Sequence, residues 1–484
     1  MQIYKRLSYT YRLAVTIGVR LLTGLTLLLV ATVPTTDLVG TIHLSLAYLV
    51  LIILGLSQYN ASTHDGSLPL RTLQIALVFA IVGLTTALLL GGLGSRRSEL
   101  VAVFVCTLLF VLVRDNRSVF SLQRIPYLGA FATLFGIFLA HSSQYAASAD
   151  LGLFPVFAGI ILGLNLFVIP RYVAQDTVYW AISLVAAGVA LLALPTVFIG
   201  DYSIGVFEVR TGANTLPIVD RPVSRSIYAN PNTLGLLMFP GIIASVVAAH
   251  RTYTLSRHPK FAFVSLLCFF LTTIGLLLSS SRAAMLATAI GFCLYAAIKQ
   301  TGSGGIPLFI TGTAIAVSLF LVAIFFDVLP IDPANRFTLW RTGLRTLLSE
   351  GSLIGSGLVE TSELIAPYLP AGASTYSVHN SYLSIALRAG FLGGLAYLIL
   401  VIGPLLHSIV RPTVAIRALG MLAIATGFAV HQLFEAYTLY QFGPGSILGA
   451  LAVGYVIESL TAPRPTSDAT ESDSTDGDDA SPGL

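Results

Sequence analysis

Apolar runs of roughly twenty residues, separated by short polar joints, fill most of this chain. An α-helix rises 1.5 Å per residue, so about twenty apolar residues cross the ~30 Å hydrocarbon core of a bilayer. The runs predict helices near 13–33, 38–57, 71–91, 98–113, 125–141, 151–169, 178–199, 232–250, 261–280, 283–299, 306–326, 382–409, 415–434 and 441–460. The expected fold class is an all-α polytopic membrane protein of about 14 transmembrane helices, with a large loop that carries an amphipathic helix. The chain divides into N-terminal transmembrane helices (1–199), a loop (200–231), transmembrane helices with a Ser-Arg junction (232–326), a large loop (327–381), C-terminal transmembrane helices (382–460) and a tail (461–484). Within the large loop, Phe337, Trp340, Leu344, Leu347 and Leu348 recur at helical spacing, with Arg341 and Arg345 four apart beside them. This pattern predicts an amphipathic helix from Arg336 to Glu350, lying in the membrane interface with Trp340 among head groups. Gly351, Gly355 and Gly357 break it.

Composition sharpens the class. Of 484 residues, 55% are hydrophobic and 10% charged, and a soluble domain would be about a quarter charged. The mean hydropathy is +0.85. Cys106, Cys268 and Cys293 all sit inside apolar runs, as small hydrophobes rather than a disulfide framework or metal site. The first run lacks a small-residue cleavage site, so a retained helix is expected there. From Thr466 onward the tail holds six carboxylates and no base; without them the preceding chain carries +10 rather than +4. That tail is expected to be disordered and cytoplasmic. There is no Walker loop or dinucleotide fingerprint. Nucleotide chemistry, a cofactor and a nucleic-acid partner are not expected.

Basic residues then orient the spans. Lys5, Arg6 and Arg12 precede the first helix, and strict alternation puts Arg114, Arg117, Arg124, Arg171, Arg251, Arg257, Lys260, Lys299, Arg411 and Arg417 on the same side. The positive-inside rule makes that side, and both termini, cytoplasmic in a plasma membrane, with Arg96 and Arg97 the main violation. Both long loops and the joint Ser279-Ser280-Ser281-Arg282 then face outward. These outer segments hold Arg210, Arg221, Arg225, Arg282, Arg336, Arg341 and Arg345, against the rule. Such an excess asks for an anionic ligand on the outer face, be it a substrate or the membrane lipids themselves.

Each candidate has a bland reading beside the functional one. His379 can take a proton near neutral pH, or it can be an interfacial histidine ahead of a helix capped by Asn380 or Ser381. Arg282 can clamp phosphate oxygens or snorkel to lipid phosphates. Arg221 and Arg225 precede Tyr228-Ala229-Asn230-Pro231-Asn232, which by itself reads as a turn and helix cap. Outer Asp and Glu residues (Asp201, Glu208, Asp220, Asp327, Asp332, Glu350, Glu360, Glu363) lack ligand-like spacing, so no metal is expected.

Taken together, the stretch Arg225–Asn232 with Leu234-Gly235, Leu278–Ala284, Arg336 and Trp340 with Gly355-x-Gly357, and His379-Asn380-Ser381-Tyr382-Leu383 leading to Gly390 and Gly393-Gly394 resembles the O-antigen ligase and O-antigen polymerase superfamily. The resemblance covers about Arg221 to Gly394; Ser226 stands where many relatives carry Gly, and Arg388 where they carry a neutral or acidic residue. It implies a metal-independent membrane glycosyltransferase that moves a glycan from a polyprenyl (di)phosphate carrier to a glycan, lipid or glycoprotein acceptor, at the outer face. On that reading His379, Arg282 and Arg225 are catalytic, His379 taking the acceptor proton and the arginines holding the diphosphate. Arg221 (which competes with Arg225), Arg210, Asn232, Arg336, Arg341, Asn380 and Tyr382 bind substrate. The alternative is a lipid-linked oligosaccharide flippase or other transporter, which would need helix-breaking or ionisable residues near the midplane. Ligase and polymerase are not separated by these residues.

Overall fold

The computed structural model describes residues 122–461, apart from 143–154, 156–157, 160–161, 173, 205–206, 217–220, 229, 257–258, 327–335, 370–376 and 442. The expected helices over 13–33, 38–57, 71–91 and 98–113, and the acidic tail after 461, lie outside the described residues, so the count of fourteen does too.

The described chain is mostly helical. Helix α1 is Ile125–Ser142 and α2 is Gln175–Ala193. A small sheet follows, β1 (Tyr202–Ile204), β2 (Phe207–Thr215) and β3 (Pro222–Ser226). Then come α3 (Pro231–Arg251), α4 (Pro259–Ser279), α5 (Arg282–Thr301), α6 (Gly305–Phe325) and α7 (Arg336–Glu350). The last three are α8 (Ser381–Val401), α9 (Leu419–His431) and α10 (Pro444–Thr461). Eight helical stretches among the described residues are long and apolar enough to cross a membrane, one of which, Arg282–Ile324, combines α5 and α6. With the composition, this makes the chain an integral membrane protein.

The core is built from α2, α3, α9 and α10, whose inward faces hold fully buried side chains such as Tyr179, Phe239, Phe428 and Tyr455. Helix α6 stands at the rim, exposing Leu308, Ile315, Leu319 and Val322 as a lipid-facing helix does. Helices α5 and α9 run antiparallel in close contact: a Cβ on Gly291 would meet the Ala423 carbonyl at 2.7 Å, and one on Gly427 the Ala287 carbonyl at 2.9 Å. Small residues permit that approach. Continuing the register brings Arg282 level with Gln432.

The bundle has two unlike ends. At one, Arg124 pairs with Glu458 at 2.7 Å, Arg171 with Glu458 at 3.4 Å, and Arg251 with Asp176. The other carries the sheet, α7 and the starts of α3, α5, α8 and α10.

Three expectations are corrected. The segment 200–231 contains a three-stranded antiparallel sheet of order β1-β2-β3, so the fold is not all-α. Val209 is buried between exposed Glu208 and Arg210, a two-residue period short enough to read as a charged loop. Next, Trp340 is only 6% exposed. It packs with Phe337, Phe320 and Phe434 rather than among head groups, so α7 lies against the bundle.

Finally, the apolar run 382–409 is interrupted: Ile402 separates α8 from a second helix, Gly403–Val410, and Gly390 inside α8 has φ +70°, ψ −171°. That break lies about 13 Å along the helix from its start. Residues 352–357 fill it. Ser356 N and Gly357 N donate to the carbonyls of Leu387 and Arg388 at 3.2 and 2.7 Å, while Phe391 N and Leu392 N donate to Ser352 and Leu353 at 3.2 and 3.1 Å. Only glycine fits the opposed positions, since a Cβ on Gly355 would lie 2.3 Å from the Arg388 carbonyl oxygen and one on Gly390 2.4 Å from Leu353. Each of the four bonds, left unmade in a buried setting, would cost about 1–3 kcal/mol. Break and inserted segment are therefore obligatory partners.

Candidate functional site

Two helix starts and one connection build the site. Helix α3 begins at Asn230, whose side-chain oxygen accepts from Asn232 N at 2.8 Å, with Pro231 in the first turn. This capping turns the Asn232 amide toward the α9–α10 connection, where its Nδ2 donates to Glu435 Oε1 at 2.8 Å. Helix α8 begins at Asn380, whose Oδ1 accepts from Leu383 N at 3.0 Å. Just before it, His379 is held at φ +44°. Ser381 then bolts the α9–α10 connection to this helix start: its N donates to Gln432 O at 2.8 Å and its Oγ to Glu435 O at 2.6 Å.

Glu435 is the hub. Arg336, at the start of α7, lies 3.1 Å from Glu435 Oε1 and also donates to Phe434 O at 2.5 Å. His379 Nδ1 lies 3.8 Å from Glu435 Oε2. Side chains from α3, α7 and α8, scattered over roughly 150 residues of sequence, thus meet one carboxylate whose side chain is 12% exposed. Burial alone would raise the Glu435 carboxyl, but the His379 ring and the Arg336 guanidinium outweigh it and hold it below the usual carboxylate range.

Asn232, His379 and Glu435 line a cavity of about 300 Å³, bounded also by Tyr228, His431 and Tyr437, with Arg336 behind the carboxylate and outside the lining. Among the described residues, the Tyr228 and Tyr437 hydroxyls, both His431 nitrogens and His379 Nδ1 are buried there without a hydrogen-bond partner. Burial pushes the Tyr437 hydroxyl well above its ordinary value, so it stays a neutral phenol. Buried polar groups are nearly always paired, and a cluster of exceptions around one cavity points to a polar ligand. A second, apolar groove of about 750 Å³ runs between α6, α8 and α9, lined among others by Asn380, Tyr382, Leu383, Ala386 and Leu398.

Backbone strain falls at the same places. Among the described residues, Ser226 (φ +52°), Ser280 (φ +51°) and His379 (φ +44°) are the non-glycine residues of positive φ. They occupy the three junctions ahead of α3, α5 and α8. Left-handed backbone at a non-glycine residue persists where the surroundings enforce it, and it gathers at functional sites. The conformation also explains why Gly suits the position of Ser226.

The structure brings His379, Asn232 and Arg336 together around Glu435. Asn380 spends its side-chain oxygen on the helix cap. Tyr382 donates to Ala429 O at 2.8 Å, and Arg341 to Ile324 O at 2.6 Å, holding α8 to α9 and α7 to α6. Arg282 is exposed at the first residue of α5, at the same end of the bundle as His379. The Ser279–Ser281 turn before it packs on the first turn of α3, since a Cβ on Gly235 would lie 2.5 Å from Ser281 Cβ. The remaining arginines belong to the sheet. Arg225 is half-buried beside Gly212 and near Asp201, Arg221 is exposed, and Arg210 is exposed and paired with Glu208. None of these three lines the Glu435 cavity. Among the described residues no three His, Cys, Asp or Glu side chains converge as metal ligands would.

Sequence reasoning missed Glu435. The signal was there: it is the first carboxylate after the apolar run 415–434, on the face assigned to His379. A six-residue joint between the spans 415–434 and 441–460 gave it no weight beside two long loops.

Residues 267–398 match a family model described as O-Antigen ligase, and no curated protein matches the chain. The matched segment runs from within α4 to near the end of α8 and takes in Arg282, Arg336, His379 and Arg388. Asn232 and Glu435, which complete the cluster, lie on either side of it. On this match, residues 267–398 of the chain are similar to the O-antigen ligase family.

Proposed function

We propose that the protein transfers a glycan from a polyprenyl (di)phosphate carrier to an acceptor hydroxyl at the outer face of the membrane, with His379 as the proton acceptor. The observation that carries this reading is the buried Glu435 carboxylate behind the His379 imidazole, in a polar cavity at one end of the bundle.

Glu435 lies 3.8 Å from Nδ1, beyond hydrogen-bond distance. Its negative charge behind the ring favours the imidazolium formed in transfer and leaves the other nitrogen to face substrate. The free nitrogen takes the proton as the acceptor oxygen attacks the anomeric carbon. The bond from that carbon to the phosphate oxygen breaks, and the carrier (di)phosphate leaves with the electron pair, inverting the centre. Asn232 and Arg336 keep Glu435 in place and ionised. Arg282, at the N-terminus of a 20-residue helix, joins a guanidinium to the positive end of the helix dipole, a suitable place for the leaving phosphates. The apolar groove that Asn380 and Tyr382 help to line suits the carrier's hydrocarbon chain.

Among the described residues, the break at Gly390 is the feature that most favours a transporter. Its freed backbone groups, however, pair with residues 352–357 instead of facing a cavity. Purified protein in liposomes, given a labelled lipid-linked glycan, separates the two: transfer supports the enzyme, and movement across the bilayer without transfer supports the transporter. His379→Ala is expected to lower transfer by about 10²–10⁴-fold with protein still in the membrane. Normal transfer by that variant would remove His379 from the chemistry.

A further inference from the structure

Arg388 has no part in the chemistry above, yet it lies inside an apolar span, two residues before the break in α8. An ionisable residue at such depth is costly and calls for a named partner. Its partners all lie on residues 358–360, directly after the inserted segment. Nε donates to Val359 O at 3.0 Å and Nη2 to Leu358 O at 3.2 Å, and Nη2 also pairs with Glu360 Oε1 at 3.1 Å. The same segment is held from the other side by α1, where His141 Nε2 lies 2.9 Å from Ile354 O and the His141 ring packs on Gly357.

The inserted segment is also the continuation of α7. Gly351 follows Glu350 directly, and residues 352–357 dock one position further on. Helix α7 is therefore pinned at both ends. Its start is fixed by Arg336 on Glu435 and by the Phe337, Trp340 and Phe434 rings. Between the pins, Leu339 and Leu347 rest on Val378 and Leu387, the residues preceding His379 and Arg388. A rigid helix held this way transmits a shift at one end to the other.

We propose that Arg388 is a positioning residue for the transfer site: by fastening residues 352–360 into the break of α8 it fixes the far end of α7 and so sets where Arg336 meets Glu435. The inference rests on the proposed function, because it takes Arg336 and Glu435 as parts of the transfer site.

The test uses the full chain in liposomes with a labelled lipid-linked glycan donor, alongside amide hydrogen exchange. Arg388→Ala is expected to expose the amides of Ser356, Gly357, Phe391 and Leu392 to exchange. It should lower kcat by about 10- to 100-fold, the scale of a small misplacement of positioned groups. In an Arg336→Lys background the same substitution should cost less than about threefold, because residues that act through one contact are not additive. Equal losses in both backgrounds, or lost protection with normal kcat, would overturn the proposal. If Arg388→Ala does not reach the membrane, Arg388→Lys keeps the charge but cannot span the two carbonyls and Glu360, and normal turnover by it overturns the proposal equally. The two readings fail separately. A wild-type protein without transfer sinks the proposed function, whereas a His379-dependent transferase indifferent to Arg388 sinks only this inference.

Discussion

Glu435→Gln isolates the part of the site that is hardest to replace. Glutamine keeps the volume and an oxygen for the Asn232 amide, 2.8 Å away, so that contact survives. What goes is the negative charge beside Arg336 and His379. A unit charge pair at the 3.8 Å separation of His379 and Glu435 is worth about 4 kcal/mol at an effective dielectric of about 20. Solvent reaches the 31%-exposed His379 side chain and trims this to about 3–4 kcal/mol. If His379 gains a proton in the transition state, that is the stabilisation lost, equivalent to about 10²–10³ in rate. Losing the charge-assisted bond to Arg336 costs folding about 1.5–3 kcal/mol, which a large membrane bundle should survive. The assay is steady-state transfer in liposomes at fixed protein content. The expected result is a kcat down by about 10²–10³-fold with acceptor KM within about threefold, the pattern of an interaction made in the transition state. Turnover within about threefold of wild type, beside an inactive His379→Ala, would refute the role given to Glu435.

Other outcomes follow from the same geometry. Because the Glu435 carboxyl is held below its ordinary value, its contribution to stability is complete above the unfolded carboxylate pKa of about 4.3 and is lost as pH falls through the lower folded value. Thermal unfolding against pH should therefore show a steeper acid-side loss for wild type than for Glu435→Gln; parallel curves would contradict the assignment. Asn380→Ala should cost about 1 kcal/mol of stability through the lost cap, and Asn380→Ser should restore it. If Asn380→Ser restores folding but not transfer, the side chain also touches substrate. Gly355→Ala places a methyl group 2.3 Å from a carbonyl oxygen at φ +74°, and should destabilise by at least about 2–3 kcal/mol, read as a lower melting temperature in detergent.

Much of the membrane architecture was legible in the chain. Apolar runs of bilayer length carry their own secondary structure, since every backbone group in lipid must bond within its own helix. Hence α3, α4, α5 and α6 lie where hydropathy puts them, and Phe337, Trp340, Leu344, Leu347 and Leu348 predict α7 by period alone. Position before a span did not by itself distinguish His379 from the other histidines near helix ends, and its role came from the family resemblance; Asn380 does cap α8. The break at Gly390 was illegible, because a glycine in an apolar run shows no sign of the segment that will fill the gap. The sheet was hidden for a related reason: strands of three to nine residues find partners only across a fold.

What the chain determined by itself is therefore the set of helices, their caps and the polar residues at their starts. Only tertiary packing decided which of those residues meet. The antiparallel register of α5 and α9 and the Ser381 bolts carry Glu435 to His379, while the sheet keeps Arg225, Arg221 and Arg210 away from that cavity. The physical reason is range. Helix formation and capping depend on neighbours within four residues. The ion pairs of the site join residues 56 and 99 positions apart, and nothing local to either partner records the other.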